Sequence, residues 1–131
     1  MLNKIDHVAI VVNSIEEAIK RYSGLFGFKE LESLTDPGGE FKSTLISVDN
    51  VTLELLQPVN PEGAIAKFLA KHGEGIHHLS LNVSNIKQEL KTLKDRGTRL
   101  INEEPMPVSS TQVAYVHPKA TGGVLIELIQ R

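Results

Sequence analysis

The stretch Gly75–Val83 reads Gly-Ile-His-His-Leu-Ser-Leu-Asn-Val, and it has an earlier counterpart in Ile5–Val12, Ile-Asp-His-Val-Ala-Ile-Val-Val. Each stretch has the length and the alternation of side chains that favour a β-strand with a histidine on one face. Placing His78 on His7 sets an offset of 78 − 7 = 71 residues. We therefore predict that the chain is a duplication whose halves begin with the same strand.

The residues that follow each strand support this duplication. Ser14 precedes Glu17 by three positions, and at the same offset Asn85 precedes Gln88. Such a spacing is typical of a capping box, in which the side chain of the first residue accepts a hydrogen bond from the backbone amide of the second. Each half is therefore predicted to pass from its strand into a capped helix.

Three further strands are predicted after each helix. They cover 29–34, 41–48 and 51–56 in the first half, and about 99–101, 112–116 and 124–129 in the second. The final strands correspond in sequence, which sets Glu54 on Glu127 at an offset of 127 − 54 = 73 residues. The change from 71 to 73 indicates a small difference in loop length between the halves.

The pattern as a whole predicts one α+β domain of 131 residues, in which tandem βαβββ units form a curved mixed sheet. Unit one covers about 4–57 and unit two about 75–130. A connector helix over about 60–73 joins them, with Asn60 as its cap and Pro61 at its first position.

The composition excludes several classes of partner. Fourteen basic and sixteen acidic residues give 14 − 16 = −2, so the charge does not favour nucleic acid or an anionic membrane. There are no cysteines, which leaves only histidine, carboxylate and amide groups as metal ligands. We find no signal peptide and no apolar run of about 20 residues, and we expect a cytoplasmic protein.

Each half carries one histidine on its first strand and one glutamate on its last. These residues are His7 and Glu54 in the first half, and His78 and Glu127 in the second. Imidazole and carboxylate groups together suit a divalent ion such as Zn, Mn, Co or Ni, and burial of two carboxylates without a cation is costly. The alternative is a pair of structural His–Glu contacts copied by the duplication.

The alternation within the second strand selects His78 over His77. His78 superposes on His7, whereas His77 points to the opposite face and is expected outside the site or near the helices. His72 follows the connector helix and His117 precedes a proline, so neither is predicted to be a ligand.

Beyond the four candidate ligands, several segments resemble the vicinal oxygen chelate superfamily, and within it the methylmalonyl-CoA epimerase family. They are Ile5–Ile10, Ile65–Lys71, Gly73–His78, Leu100–Pro105, Val116–Lys119 and Gly123–Leu128. The resemblance implies a glyoxalase-like fold around a metal site and a divalent cofactor (Co, Mn, Ni or Zn) held by His7, Glu54, His78 and Glu127. It also implies an acyl-CoA substrate and a homodimer.

The function implied is the interconversion of (2R)- and (2S)-methylmalonyl-CoA by α-proton abstraction, with Glu127 and Glu54 as the catalytic groups. A glyoxalase I (lactoylglutathione lyase) type of isomerase and a non-catalytic binding protein of the same superfamily are the alternatives. Lys42 stands where some epimerases have a glutamate, with Glu40 close by, and the loop 105–111 lacks the glycines common there in the family.

Overall fold

The computed structural model describes residues 2–131. Its strands are β1 (Leu2–Val11), β2 (Lys29–Thr35), β3 (Phe41–Val48), β4 (Val51–Pro58), β5 (Gly75–Val83), β6 (Met106–Val108), β7 (Thr111–Val116) and β8 (Ile126–Gln130). Its helices are α1 (Ile15–Phe26), α2 (Ala64–His72) and α3 (Ile86–Asp95). No helix among residues 2–131 has the length and apolar character needed to cross a membrane.

The chain forms two compact units. The N-terminal unit is His7–His77, and the C-terminal unit combines residues 2–6 with His78–Arg131. Each unit contains strands from a β-α-β-β-β sequence, and the order of hydrogen-bonded strands is β2-β3-β4-β1 in the first and β5-β8-β7-β6 in the second. The predicted fold class, α+β with tandem βαβββ units, is confirmed.

In the N-terminal unit, α1 covers one face of the strands through an apolar cluster. Ile15 and Ala18 of the helix pack with Ile46 of β3 and Leu55 of β4, and the latter two are fully buried. The α2 helix packs Ile65 against Ala9 and other residues on the opposite face. Glu54 shares that opposite face because it lies next to Leu55 in an extended strand.

The C-terminal unit repeats the first arrangement. Ile86 and Leu90 of α3 pack against Val83 of β5, Ala114 of β7 and Leu128 of β8. The parallel pairing of β5 with β8 corresponds to that of β1 with β4. The two units therefore share their strand pairing and helix packing as well as their sequence pattern.

Both predicted capping boxes form their first hydrogen bond. Ser14 Oγ accepts from the amide of Glu17 at 3.2 Å, and Asn85 Oδ1 accepts from that of Gln88 at 3.1 Å. Each helix start has a second, long-range partner in a glutamine of the last strand of its unit. Gln57 Oε1 accepts from the Ile15 amide at 2.9 Å, and Gln130 Oε1 accepts from the Ile86 amide at 2.8 Å. These contacts fix each helix to its sheet.

The connector helix begins later than predicted. It starts at Ala64 with Gly63 as its N-cap, and Asn60 instead closes a turn by accepting from the Glu62 amide at 2.9 Å. The prediction that Asn60 caps the helix with Pro61 at its first position is therefore wrong. An Asx turn satisfies the Asn60 side chain locally and competes with its use as a helix cap.

The strand predicted near Arg99–Ile101 is also misplaced. Leu100 forms only an isolated bridge with Val116, and the edge strand of this unit is β6, inside the segment 105–111 that was predicted as a loop. Prolines disfavour central strands, but an edge strand tolerates them because one side of its backbone has no ladder partner. Pro107 of β6 therefore fits at the edge.

A buried carboxylate ties the two ends of the C-terminal unit together. Asp6 receives two bonds from the Arg131 guanidinium, at 2.8 and 2.9 Å, and one from Asn82 at 3.0 Å. We expect Arg131→Ala to lower the free energy of unfolding by about 1–3 kcal/mol, because it removes two charged hydrogen-bond donors from a buried acceptor. This range allows for solvent screening of the half-exposed arginine. Urea denaturation would measure this loss.

An exposed ion pair within the same unit provides the control. Lys91 and Asp95 lie one helical turn apart on α3 with their charged atoms at 3.0 Å, and both side chains are mostly in solvent. Lys91→Ala should change the unfolding free energy by no more than about 0.5 kcal/mol. Equal losses in the two variants would contradict the structural role given to Asp6 and Arg131.

Candidate metal and acid–base site

The N-terminal unit contains the first of the two predicted His–Glu pairs. His7 lies on β1 and is 4% exposed, and its Nε2 atom is 3.4 Å from Oε1 of Glu54 on β4. The parallel register of these strands sets Glu54 beside Ala9, two residues after His7, so both side chains emerge on the same face. The backbone register therefore brings together the first two predicted residues.

The C-terminal unit contains the second pair in the same arrangement. His78 lies on β5 and Glu127 on β8, both are buried, and His78 Nε2 is 3.7 Å from Glu127 Oε1. Here the register sets Glu127 beside Ser80, again two residues after the histidine. The structure thus brings together His78 and Glu127 in the way that the duplication predicted.

The two glutamates differ in the side chains beside them. Ser80 Oγ donates to Oε1 of Glu127 at 2.7 Å, and the phenol of Tyr115 donates to Oε2 at 2.8 Å. Ser80 and Tyr115 are the cross-strand neighbours of Glu127 on β5 and β7. Both oxygens of Glu127 are therefore held by hydroxyl groups.

The corresponding neighbours of Glu54 are apolar. Ala9 on β1 and Leu45 on β3 lie beside it, and neither side chain can form a hydrogen bond. The duplication has preserved the His–Glu pair in both units, but the cross-strand neighbours of the glutamate carry hydroxyl groups in the C-terminal unit and apolar side chains in the N-terminal unit.

The chemistry of each pair fits a divalent ion. Two ligand atoms bound tetrahedrally at about 2.0–2.2 Å from one ion are separated by about 3.3–3.6 Å. The His–Glu separations of 3.4 and 3.7 Å are close to this range. A neutral imidazole and a carboxylate are suitable ligands for Zn, Mn, Co and Ni, and the pairs are mostly shielded from water.

His77 precedes His78 on β5 and contacts α2. Its ring packs edge-on against Phe68 of α2, with the centroids 4.9 Å apart. Burial lowers the pKa of His77, and the negative charge of Glu54 partly opposes this effect. His77 is therefore neutral near pH 7 and packs against α2.

His117 lies in a turn, as predicted. Its side chain caps a short 3₁₀ helix by accepting a hydrogen bond from the Lys119 amide.

The structure places Lys42 and Glu40 at different parts of the N-terminal unit. Leu45 pairs with Glu54, so Ser43, two residues away, shares the face of Glu54, whereas Lys42 points to the α1 side and lines a groove beside the start of that helix. Glu40 lies beside Gly63 at the start of α2. Lys42, which stands where some epimerases have a glutamate, therefore does not share the face of Glu54.

The family comparison agrees with this geometry. Residues 6–115 match the model of the glyoxalase/bleomycin resistance protein/dioxygenase superfamily. The chain belongs to this superfamily. The match covers well over half of the chain, including His7, Glu54 and His78. The superfamily resemblance stated from sequence is confirmed.

Several relatives within the superfamily are methylmalonyl-CoA epimerases. The mitochondrial methylmalonyl-CoA epimerase of Homo sapiens is 34% identical, over 98% of this chain and 74% of that protein. The ethylmalonyl-CoA/methylmalonyl-CoA epimerase of Cereibacter sphaeroides is 32% identical, over 99% of both. A solved methylmalonyl-CoA epimerase in complex with methylmalonyl-CoA and NH₄⁺ is 26% identical with a TM-score of 0.92, over 99% of this chain and 95% of that one.

Sequence reasoning missed the two hydroxyl donors to Glu127. Ser80 could have been found, because it shares the strand face of His78 two positions away. Tyr115 could not be paired with Glu127 without knowing the register of β7 against β8.

Proposed function

We propose that this protein is an isomerase that interconverts (2R)- and (2S)-methylmalonyl-CoA. The main support is its similarity over nearly the full chain to epimerases that act on this type of substrate. Each unit also supplies a buried imidazole beside a carboxylate, the groups that metal-assisted proton abstraction requires. The acyl-CoA is therefore the proposed substrate.

His7, Glu54, His78 and Glu127 are the proposed ligands of a divalent ion, which is Co, Mn, Ni or Zn. When bound, the ion would act as a Lewis acid that stabilises the negative charge developing on the thioester oxygen. This ligand set is the one that the duplication and the superfamily resemblance imply.

The proposed reaction begins with proton transfer to Glu127. One of its carboxylate oxygens takes the α-proton, the carbon–hydrogen bond breaks, and the electron pair is delocalised into the thioester carbonyl. Glu54, protonated before the reaction, is the proposed donor of a proton to the opposite face, which gives the other epimer. Proton exchange with solvent then restores both carboxyl groups. The hydroxyl groups of Ser80 and Tyr115 hold Glu127 during this exchange.

Deuterium incorporation provides the test of this function. The metal-loaded protein is incubated in D₂O with (2R)- or (2S)-methylmalonyl-CoA, and in a separate reaction with the glutathione–methylglyoxal adduct. Epimerisation with uptake of one deuterium at the α-carbon is the expected result. Turnover of the glutathione adduct alone would favour the lactoylglutathione lyase alternative, and no turnover of either would favour a binding protein.

The sequence also predicts a homodimer in the cytoplasm. Both statements are part of the proposal and rest on the superfamily resemblance and on the sequence composition. The proposed chemistry uses ligands and acid–base groups of one chain only.

A further inference from the structure

Glu127 lies in the middle of a row of three polar side chains that crosses three strands. Ser80 of β5, Glu127 of β8 and Tyr115 of β7 are direct neighbours in the strand register. Because the backbone pairing fixes their positions, the hydrogen bonds of 2.7 and 2.8 Å do not depend on a mobile loop.

We infer that the two oxygens of Glu127 have separate tasks, and that Tyr115 is a positioning residue for the oxygen that receives the proton. This inference rests on the proposed function and deepens it. Ser80 holds Oε1, the oxygen that faces His78 and would bind the metal. Tyr115 donates to Oε2, the second oxygen of the same carboxylate.

A carboxylate oxygen has two positions at which it can accept a hydrogen. The phenol of Tyr115 occupies one of these positions on Oε2, and the α-proton is assigned to the other. The hydroxyl of Tyr115 fixes the rotation of the carboxylate about its last bond, which sets the direction of proton transfer. Geometry of this kind is a first requirement for a general base.

Tyr115 is itself held in place. Asn102 Oδ1 accepts from the Tyr115 amide at 2.8 Å, and the Asn102 amide donates to the Tyr115 carbonyl at 3.2 Å. The ring of Tyr115 also packs edge-on against His78, with centroids 5.6 Å apart. These contacts fix the position of the Tyr115 side chain in the unit that contains His78 and Glu127.

The N-terminal unit provides an internal comparison. Ala9 and Leu45 occupy there the strand positions that Ser80 and Tyr115 occupy beside Glu127, so the hydroxyl row itself is not repeated at these positions. If a hydroxyl row were only a structural requirement of this strand arrangement, both units would need one. The difference indicates that the row serves Glu127 in particular and is not a general requirement of the strand arrangement.

The test compares Tyr115→Phe with Ser80→Ala in two assays. One titrates the metal-free protein with Co²⁺ and follows its visible absorption, and the other measures kcat and KM for methylmalonyl-CoA. Tyr115→Phe should lower kcat by about 10- to 100-fold, the effect of losing a hydrogen bond to a charged group, with KM and Co²⁺ affinity within about 3-fold. Ser80→Ala should weaken Co²⁺ binding by about 10- to 100-fold.

Tyr22→Phe is the matched control, because Tyr22 packs against Phe28 in the N-terminal unit and has no part in the proposed site. It should leave kcat, KM and Co²⁺ binding unchanged. The Ser80→Ala variant should fold, since alanine already stands at the corresponding position in Ala9.

Two results would overturn the inference: Tyr115→Phe weakening Co²⁺ binding as strongly as Ser80→Ala, or Tyr115→Phe leaving kcat unchanged. If the wild type shows no epimerisation, the proposed function fails on its own. The Co²⁺ titrations then still decide the division of the oxygens, because equal affinities for Ser80→Ala and Tyr115→Phe would contradict it.

Discussion

Glu127→Gln is expected to reduce the epimerisation rate by about 10²- to 10⁴-fold, the usual contribution of a general acid–base group. The amide keeps the size of the side chain and an oxygen that can still coordinate a metal. It cannot accept a proton at its nitrogen. The loss of activity should therefore be much larger than the loss of metal, which we would measure by kcat in metal-saturated protein and by metal content after dialysis.

The surroundings of Glu127 allow this substitution without a buried mismatch. Ser80 can continue to donate to the amide oxygen, and the hydroxyl of Tyr115, which can also accept, can receive a bond from the amide nitrogen. A large activity loss would thus not be due to unfolding, and thermal denaturation of the variant would check this. Near-normal turnover with metal in place would rule out proton abstraction by Glu127.

Glu54→Gln separates the two faces of the reaction. If Glu54 returns the proton on the opposite face, its loss should slow conversion of one epimer into the other, while exchange of the α-proton with D₂O continues through Glu127. The same isosteric change is thus made in each unit, at glutamates whose strand neighbours differ. If Glu54→Gln has no effect on epimerisation, another group must return the proton.

The features that sequence predicted correctly are those carried by short-range patterns. Alternation identified the strands that carry His7 and His78, and a three-residue spacing identified the N-caps Ser14 and Asn85, all of which the structure confirms. Each of these signals depends on residues within one strand or one helical turn. The duplication then extended them over the whole chain.

The features that sequence missed depend on contacts between distant residues. The glutamine side chains that cap α1 and α3 are 42 and 44 residues from their partners. The Ser80–Glu127 bond spans 47 residues, and the face of Lys42 depends on the pairing of β3 with β4. Such contacts follow from strand register, which a single sequence specifies only through the completed sheet.

The local errors have a related cause. Asn60-Pro61 has the composition of a helix start, but the same residues also favour a turn, and the turn is what forms before α2. Segment 105–111 was predicted as a loop, yet Pro107 lies in a strand at the edge of the unit, where a proline is tolerated. In both cases the tertiary position decides between two local structures that the residues permit.

Metal binding should depend on His7 and His78 but not on His77. Alanine at either of the first two positions removes a proposed imidazole ligand and should weaken the binding of Co²⁺ by roughly 100-fold or more, since even residues that only support metal ligands are commonly worth about 10- to 100-fold. Titration of the metal-free proteins with Co²⁺, together with metal analysis of the proteins as purified, would measure this.

His77→Ala is the matched control because it removes the same side chain from the neighbouring position of β5. His77 packs against Phe68, so the variant loses contacts with α2, and its stability should fall while its Co²⁺ affinity stays within about 3-fold of the wild type.

The duplication also predicts that His7→Ala and His78→Ala have similar effects on Co²⁺ affinity, because each histidine lies beside a glutamate in its unit. Equal loss of Co²⁺ affinity in all three variants would show that the titration follows general damage to β1 and β5. Normal affinity in both His7→Ala and His78→Ala would leave the two pairs as structural contacts inherited by duplication.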